Sequence, residues 1–570
     1  MRAGDVFMEG LERHGATTLF GNPGTTENPV LDRLVDHPTL TYYTALHEGV
    51  AVAAATFHAM ASGRTGVVNV HVAPGLGNSI GLMFGALKAG VPLLVTAGQQ
   101  DTRMHLRRTM FSHDLVAMAA PVTKWSAEPR SGDEVGPMLA RAFEIATTPP
   151  CGPVFLSLPV DVMEQTTTVS TTAPPPAKAD ASPAHEIDAL ANLLCAAQRP
   201  AIVVGDDVAA ALAVPTLVAL AERLGACVYR ESMHARMAFP TGHPAFRGRT
   251  PFDARNISAA LSAYDVLLLV GGQFFEELWH EDGHPVPASA RVARIEASAE
   301  RLASSYPLEI GVVGAIDAVL ERLDVALTRR LGGVAGEPAR ARWHEVREAG
   351  QQLQAGIRQR LESLPDTAPM SPMRVIAELT RCLPRDAILV DESLTAALMD
   401  YSADNAAIVR GAVLSSIDFG FPLTGAHDYF SGRGGGLGQA MPGALGVQVA
   451  HPDRPVVALV GDGSAMYGIQ ALWSAAHHRL PIVFVIFSNR EYRVLKHNLD
   501  LYRHRFGIAP GRPYPHMDLS SPSLSLPAVA GGMGVRGETV RTPAELAAAV
   551  RRALDGRAPY LIEAEITGKG

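Results

Sequence analysis

Residues 456–465, "VVALVGDGSA", run from an unbroken apolar stretch into an aspartate between two glycines, and "PIVFVIFSN" ends a second such stretch on Asn489. A run without polar alternation fits a parallel strand covered on both faces. Between them, "GIQALWSAAHHRL" sets Ile469, Leu472, Trp473, Ala476 and Leu480 at helical spacing, which predicts a βαβ unit with its helix over 468–480. Asp462 and Asn489 then leave the same sheet edge, where open α/β sheets bind ligands. One carboxylate and one amide oxygen suit a hard cation such as Mg²⁺, which keeps phosphate oxygens as further ligands. Gly461, Gly463 and Ser464 would let a diphosphate come close to the backbone. The competing reading is an aspartate that merely caps the next helix.

Elements that could position such a site recur along the chain. At 570 residues it is too long for one core. "TTTVSTTAPPPAKADASP" at 166–183 reads as a linker, and breaks follow at "LGGVAG" and "LPDTAPMSP". This predicts three domains, 1–165, 184–340 and 370–570, each α/β with a mostly parallel sheet flanked by helices. The first and third share a pattern: "GVVNVHVAPGLGN" (strand, then glycine loop), a helix to about Ala89 and "GVPLLVTAG" parallel the 456–489 unit. The middle part has Rossmann-type strands but no GxGxxG, which argues against a dinucleotide there.

Composition narrows the function. The formal net charge of −8, with no long basic tract, argues against nucleic acid as a partner. Four scattered cysteines without a CxxC pair fit a reducing compartment. The N-terminal stretch is an amphipathic helix pattern without a signal-type apolar segment, and no membrane-length apolar run occurs. A cytoplasmic enzyme is expected.

The GDGS…Asn489 pairing resembles the signature of thiamine-diphosphate-dependent enzymes, and the three-part organisation matches theirs: pyrimidine-binding, middle and diphosphate-binding domains. The resemblance implies thiamine diphosphate and Mg²⁺ as cofactors. Asp462, Asn489 and the carbonyl of Glu491 would hold the metal, and Gly461, Gly463 and Ser464 would border the diphosphate. In "GGGLGQAMPGALG" it implies a carbonyl near Gly435 for the pyrimidine amine and Leu437 as the wedge that bends the cofactor. Thiamine chemistry also needs a carboxyl group on the pyrimidine ring, and Glu48 stands directly before a long Ala/Val helix, a costly place for an unused charge. The alternative is a glutamate favoured there by the helix dipole. Because Glu48 and Asp462 belong to different domains, the resemblance implies a homodimer with shared active sites, assembled to a homotetramer.

Within that family the chain resembles the benzoylformate decarboxylases, through "FGNPGTTENP", "VHVAPGLGN", "VTAGQQ", "KWS" and "HPAFRG". Implied is non-oxidative decarboxylation of a small 2-oxo acid to an aldehyde; the alternatives are an acetolactate-synthase-like carboligase built from the same parts and a non-catalytic homologue. His71, ending a buried strand, is the expected proton-transfer residue, unless it is a structural histidine. Thr25 stands where the family has a serine that touches the substrate carboxylate. His280, or else His284, is the expected second histidine, although a loop histidine without a role fits too. Met110, Phe111, Leu437 and Val494 would supply apolar walls. After Asn489 the chain departs from the family with Arg490, Arg493, Lys496 and His497, a cluster that would either meet an anionic group or form a solvated helix face.

Overall fold

The computed structural model describes residues 1–107, 109–171, 183–303, 306–397, 413–421, 423–509 and 511–567. Among these, eighteen strands form three six-stranded sheets, parallel throughout. The first holds β1 (Thr18–Gly21), β2 (Thr41–Thr44), β3 (Gly66–His71), β4 (Leu93–Gln99), β5 (Trp125–Ala127) and β6 (Pro153–Pro159). The second holds β7 (Pro200–Val204), β8 (Cys227–Arg230), β9 (Phe246–Arg249), β10 (Val266–Val270), β11 (Arg291–Glu296) and β12 (Ile310–Val313). The third holds β13 (Ile388–Glu392), β14 (Tyr429–Ser431), β15 (Val456–Gly461), β16 (Val483–Ser488), β17 (Arg536–Val540) and β18 (Tyr560–Glu565). The α/β class expected from the apolar runs is what forms.

The first sheet runs β2-β1-β3-β4-β6-β5 and the third β14-β13-β15-β16-β18-β17, the same path strand for strand. The resemblance between 66–98 and 456–488 is thus one of topology. The middle sheet runs β12-β11-β10-β7-β8-β9, the order of dinucleotide-binding folds, with its switch point between β7 and β10. Most of the predicted linker, residues 172–182, lies outside the described residues. Its start packs on the first sheet's unit: Thr167 N–H donates to the Met1 carbonyl (2.9 Å) and Thr171 is buried beside Val6. Helix Glu337–Glu362 leaves the middle unit's surface, where Arg342 holds the Leu224 carbonyl, and runs on to Ile357 and Leu361 beside Phe419.

Two sequence-level expectations change. The glycine loop expected in "APGLGN" is instead the opening of helix Val72–Lys88. Its Gly75 serves a close approach, since a Cβ there would lie 3.3 Å from Glu48 Oε1. The helix expected over 468–480 is shorter, Ala471–His477, because Gly468 is pressed against the Gly438 carbonyl and Pro442, and Arg479 turns out of the helix at φ +55°.

The first and third units are welded by a crossing of two helices, Glu48–Ser62 and Ala440–Ala450. Both are rich in alanine, valine and glycine, and nearly every residue is buried. A Cβ on Gly443 would lie 2.6 Å from the Phe57 ring, and one on Gly446 1.9 Å from the Ala54 carbonyl. Backbone therefore meets backbone, and one apolar cluster spans both sheets. The middle unit is clipped on by Arg236 to the Met60 carbonyl (2.7 Å) and by Ser431 N–H to the Ala235 carbonyl (3.0 Å).

Gly446→Ala should accordingly lower stability by about 1–3 kcal/mol or more, since neither helix backbone can retreat. Gly356→Ala, on an exposed helix face with nothing within 4 Å of its new methyl, should raise it by roughly 1 kcal/mol. Thermal unfolding midpoints of the two variants test this; shifts of the same sign would overturn the packing argument.

Candidate active site

β15 and β16 are adjacent, so Asp462 and Asn489 emerge side by side at the carboxyl edge of the third sheet. Asp462 is 5% exposed and takes only backbone donors: Gly463 N–H at 2.8 Å and Arg490 N–H at 2.6 Å. Among the described residues no Lys, Arg or His forms an ion pair with it. Burial pushes its pKa up to about 6. Asn489 Oδ1 accepts from Glu491 N–H (3.0 Å), which folds the chain back and brings the Glu491 backbone into the same cleft. A buried carboxylate without a cation, beside amide and carbonyl oxygens, is the donor set of a hard divalent ion, and these residues fit Mg²⁺. Gly463 is demanded by Tyr492, whose ring carbon would lie 2.6 Å from an added Cβ.

The cleft is also lined by Leu437, Ser464, Tyr467 and Val494. Leu437 is delivered by a loop that only glycines can trace, with φ of +82°, +72° and +82° at Gly434, Gly435 and Gly438. Glu392, at the end of β13, fixes the loop's far end by accepting from Gly438 N–H (2.7 Å) and Ala440 N–H (3.0 Å). Burial raises its pKa to about 7. None of the described residues lining this cleft belongs to the first sheet's unit.

A second constellation lies at the carboxyl edge of that first sheet. Glu48 opens its helix, where His47 Nδ1 caps the Gly49 N–H, and is 7% exposed. Its oxygens take one amide each, Asn22 Nδ2 at 3.0 Å and Asn78 Nδ2 at 2.9 Å. Burial raises its proton affinity, but the Asn78 and Asn22 donors outweigh this and hold the carboxyl below its ordinary range.

His71 ends β3, and its Nδ1 lies 3.0 Å from Glu27 Oε2 and 3.0 Å from Thr26 Oγ1. Glu27 is fully buried and also accepts from Thr26 Oγ1 (2.8 Å) and Gly98 N–H (2.9 Å). Desolvation raises its pKa against the pull of Thr26 and His71. A carboxylate on Nδ1 selects the tautomer that leaves Nε2 as the outward base. Gly24 makes room for the pair: a Cβ there would lie 2.5 Å from the His71 ring and 2.6 Å from Glu27 Oε2. Phe111 packs edge-on against His71 at 5.1 Å. Sequence reasoning missed Glu27, although an acid in "GTTENP", a turn otherwise without charge, was the available signal.

The predicted residues therefore fall into separate groups. Thr25 is exposed, one residue before the Thr26 that touches His71, and Met110 is exposed beside Phe111. Leu437 and Val494 line the other cleft. His280 stands 84% exposed, 3.8 Å from Asp282, on a segment that Arg505 grips through Glu281 and the His280 carbonyl. His284 instead rests against Tyr306 with its Nδ1 taking the Val286 N–H (3.1 Å). The basic residues after Asn489 are ion-paired within the chain: Arg490 with Glu565 (2.7 Å), Arg493 with Glu491 (3.2 Å) and Lys496 with Glu491. Burial pushes His497 down.

Known proteins resemble the chain over nearly its whole length. Three family models match: thiamine pyrophosphate enzyme N-terminal TPP binding domain at 1–119, central domain at 187–323 and C-terminal TPP binding domain at 419–564. A benzoylformate decarboxylase of Pseudomonas aeruginosa is 34% identical over 97% of this chain and 96% of its own. An acetolactate synthase large subunit of Parasynechococcus marenigrum is 27% identical over 85% of this chain and 75% of its own. The solved structure of a thiamine diphosphate-dependent 4-hydroxybenzoylformate decarboxylase from Rhodococcus jostii RHA1 superposes with a TM-score of 0.84, at 29% identity, over 100% of this chain and 99% of that one. Taken with the two sheet-edge constellations, these matches make the chain a member of the thiamine pyrophosphate enzyme family.

Proposed function

We propose that this enzyme decarboxylates a 2-oxo acid to an aldehyde, using thiamine diphosphate and Mg²⁺ in an active site built from two copies of the chain. The observation that carries the reading is the His71–Glu27 pair at one sheet edge, opposite in kind to the bare Asp462 carboxylate at the other. Asp462, Asn489 and the Glu491 carbonyl would hold Mg²⁺, and Gly461, Gly463 and Ser464 would border the diphosphate. When bound, thiamine diphosphate supplies a thiazolium ring that takes up the electron pair freed as CO₂ leaves the 2-oxo acid. Leu437, which lines the cleft, would support the cofactor, and a backbone carbonyl near Gly435 would accept from its amine. Glu48 exchanges a proton with the pyrimidine ring; covering its carboxylate with a ring raises its proton affinity from the present low value.

His71 Nε2 delivers and removes the proton at the substrate carbon or its oxygen, with Glu27 holding the tautomer. Thr25 is the hydroxyl for the substrate carboxylate, and His280 is the second histidine. Arg493 and Lys496 share the single carboxylate of Glu491, so a net positive charge stays beside the cleft. That none of the described residues lining the Asp462 cleft comes from the first unit supports a Glu48 supplied by a second subunit. Exposed apolar side chains flank both halves: Leu46 two residues before Glu48, and Met466 and Tyr467 shortly after Asp462. They support pairing into a homodimer and its assembly to a homotetramer.

The similarity to an acetolactate synthase keeps a second reading in play, in which a carbonyl compound rather than a proton is the acceptor. Incubation with a panel of 2-oxo acids, with and without added aldehyde, separates the two by whether aldehyde or 2-hydroxyketone accumulates.

Asp462→Ala and Asn489→Ala should each abolish retention of the cofactor. In the wild type, Mg²⁺ affinity should be constant above neutral pH and fall as pH drops through about 6, where Asp462 takes up its proton. Calorimetric titration checks both, and retention of Mg²⁺ in either variant would sink the metal assignment. Glu48→Gln should keep cofactor affinity yet suppress hydrogen–deuterium exchange at thiazolium C2; undiminished exchange would count against Glu48. His71→Ala should lower turnover by roughly 10²–10⁴-fold with unchanged cofactor binding. Glu27→Gln should lower it less and displace the acidic limb of the pH–rate profile. Wild-type turnover in His71→Ala would remove the reason for preferring a decarboxylase.

A further inference from the structure

In folds with the strand order of the middle sheet, a ligand diphosphate sits at the carboxyl edge, where strand order reverses. Here that place lies between Gly205–Asp206 after β7 and Gly271–Gly272 after β10. It is acidic. Asp206 (4% exposed) accepts from Ala235 and Arg236 N–H groups, and Glu231 (0% exposed), at the end of β8, accepts from the N–H groups of Asp206, Gln273 and Phe274. A guanidinium from another domain fills the crevice. Arg433 Nη1 reaches Asp206 Oδ2 and Glu231 Oε1, both at 3.0 Å, and Nη2 reaches Glu276 Oε2 at 2.8 Å. Arg433 is 3% exposed.

Its backbone begins the Gly434–Gly438 loop that delivers Leu437, and Gln439 Nε2 ties the Arg433 carbonyl (3.1 Å) to that of Gly436 (2.7 Å). Glu276 belongs to the segment that carries His280. One side chain thus joins the cofactor loop, the middle sheet and the histidine segment. Removing it would leave two buried acids without a countercharge, so the contact is strongly held.

We propose that Arg433 is a positioning residue, which locks the Leu437 loop and the 273–284 segment into one register through Asp206, Glu231 and Glu276. The crevice at the switch point of the middle sheet serves here as a socket for the loop that carries Leu437. Only the kinetic consequence rests on the proposed function; the mechanical coupling does not.

Glu276→Gln and Arg433→Lys, made in the full-length enzyme loaded with thiamine diphosphate and Mg²⁺, test the proposal without stranding Asp206 and Glu231. Amide hydrogen exchange followed by mass spectrometry should rise in 434–439 and in 273–284 together, while strands β3 and β15 keep wild-type protection. On a 2-oxo acid that the wild type turns over, kcat should fall roughly tenfold or more, the size usual for lost outer support of a site, with KM little changed. Exchange that rises in one segment alone, in neither, or throughout the third sheet would overturn the coupling. If the wild type turns over no 2-oxo acid, the functional reading fails by itself, and the exchange result still decides the role of Arg433.

Discussion

In a parallel sheet with right-handed crossovers all strands end on the same edge, so the chain can collect polar groups there without burying them in the core. Several buried polar groups of this protein are placed by that constraint. His71 follows β3, Glu27 accepts from Gly98 at the end of β4, and Asp462 and Asn489 follow β15 and β16. Asp206, Glu231 and Glu392 terminate strands of the middle and third sheets in the same way. The strands that lead to Asp462 and Asn489, β15 and β16, are apolar and almost entirely buried, which is what makes their ends conspicuous.

The buried acids at these edges are compensated in different ways, and the difference separates structure from chemistry. Asp206 and Glu231 share a guanidinium, as two buried carboxylates must if both are to stay ionised. Glu392 is satisfied by the N–H groups at the start of a helix. Glu27 is matched to a histidine and Glu48 to two amides. Asp462, like Glu392, has backbone donors only, but its cleft also brings Asn489 and Glu491 beside it, and a carboxylate in that setting is one that a metal can complete.

The first and third units follow one strand path but have divided the labour. Where the first places a histidine after its third strand, the third places an aspartate; where the first opens its buried helix with Glu48, the third opens its counterpart with a glycine loop capped by Glu392. Their common glycine-rich crossing holds the two units in fixed relation within a chain.

The sequence by itself determined the apolar runs, the glycine-bordered Asp462 and Asn489, and the isolated Glu48, because strand ends and the cost of a buried charge are local properties. The α/β class and the three-part plan followed from them. Tertiary structure alone decided which side chains share an environment. Glu27 becomes the partner of His71 only because the turn after β1 lies across the ends of β3 and β4, 44 residues away in sequence. The sequence left open whether the basic residues after Asn489 meet an anion or form a solvated helix face, and folding alone pairs Arg490 with Glu565, 75 residues on. Arg433 lies beside a glycine loop in sequence, and nothing local links it to acids about 200 residues upstream; a long-range ion pair is set by how domains dock, which residue spacing does not encode.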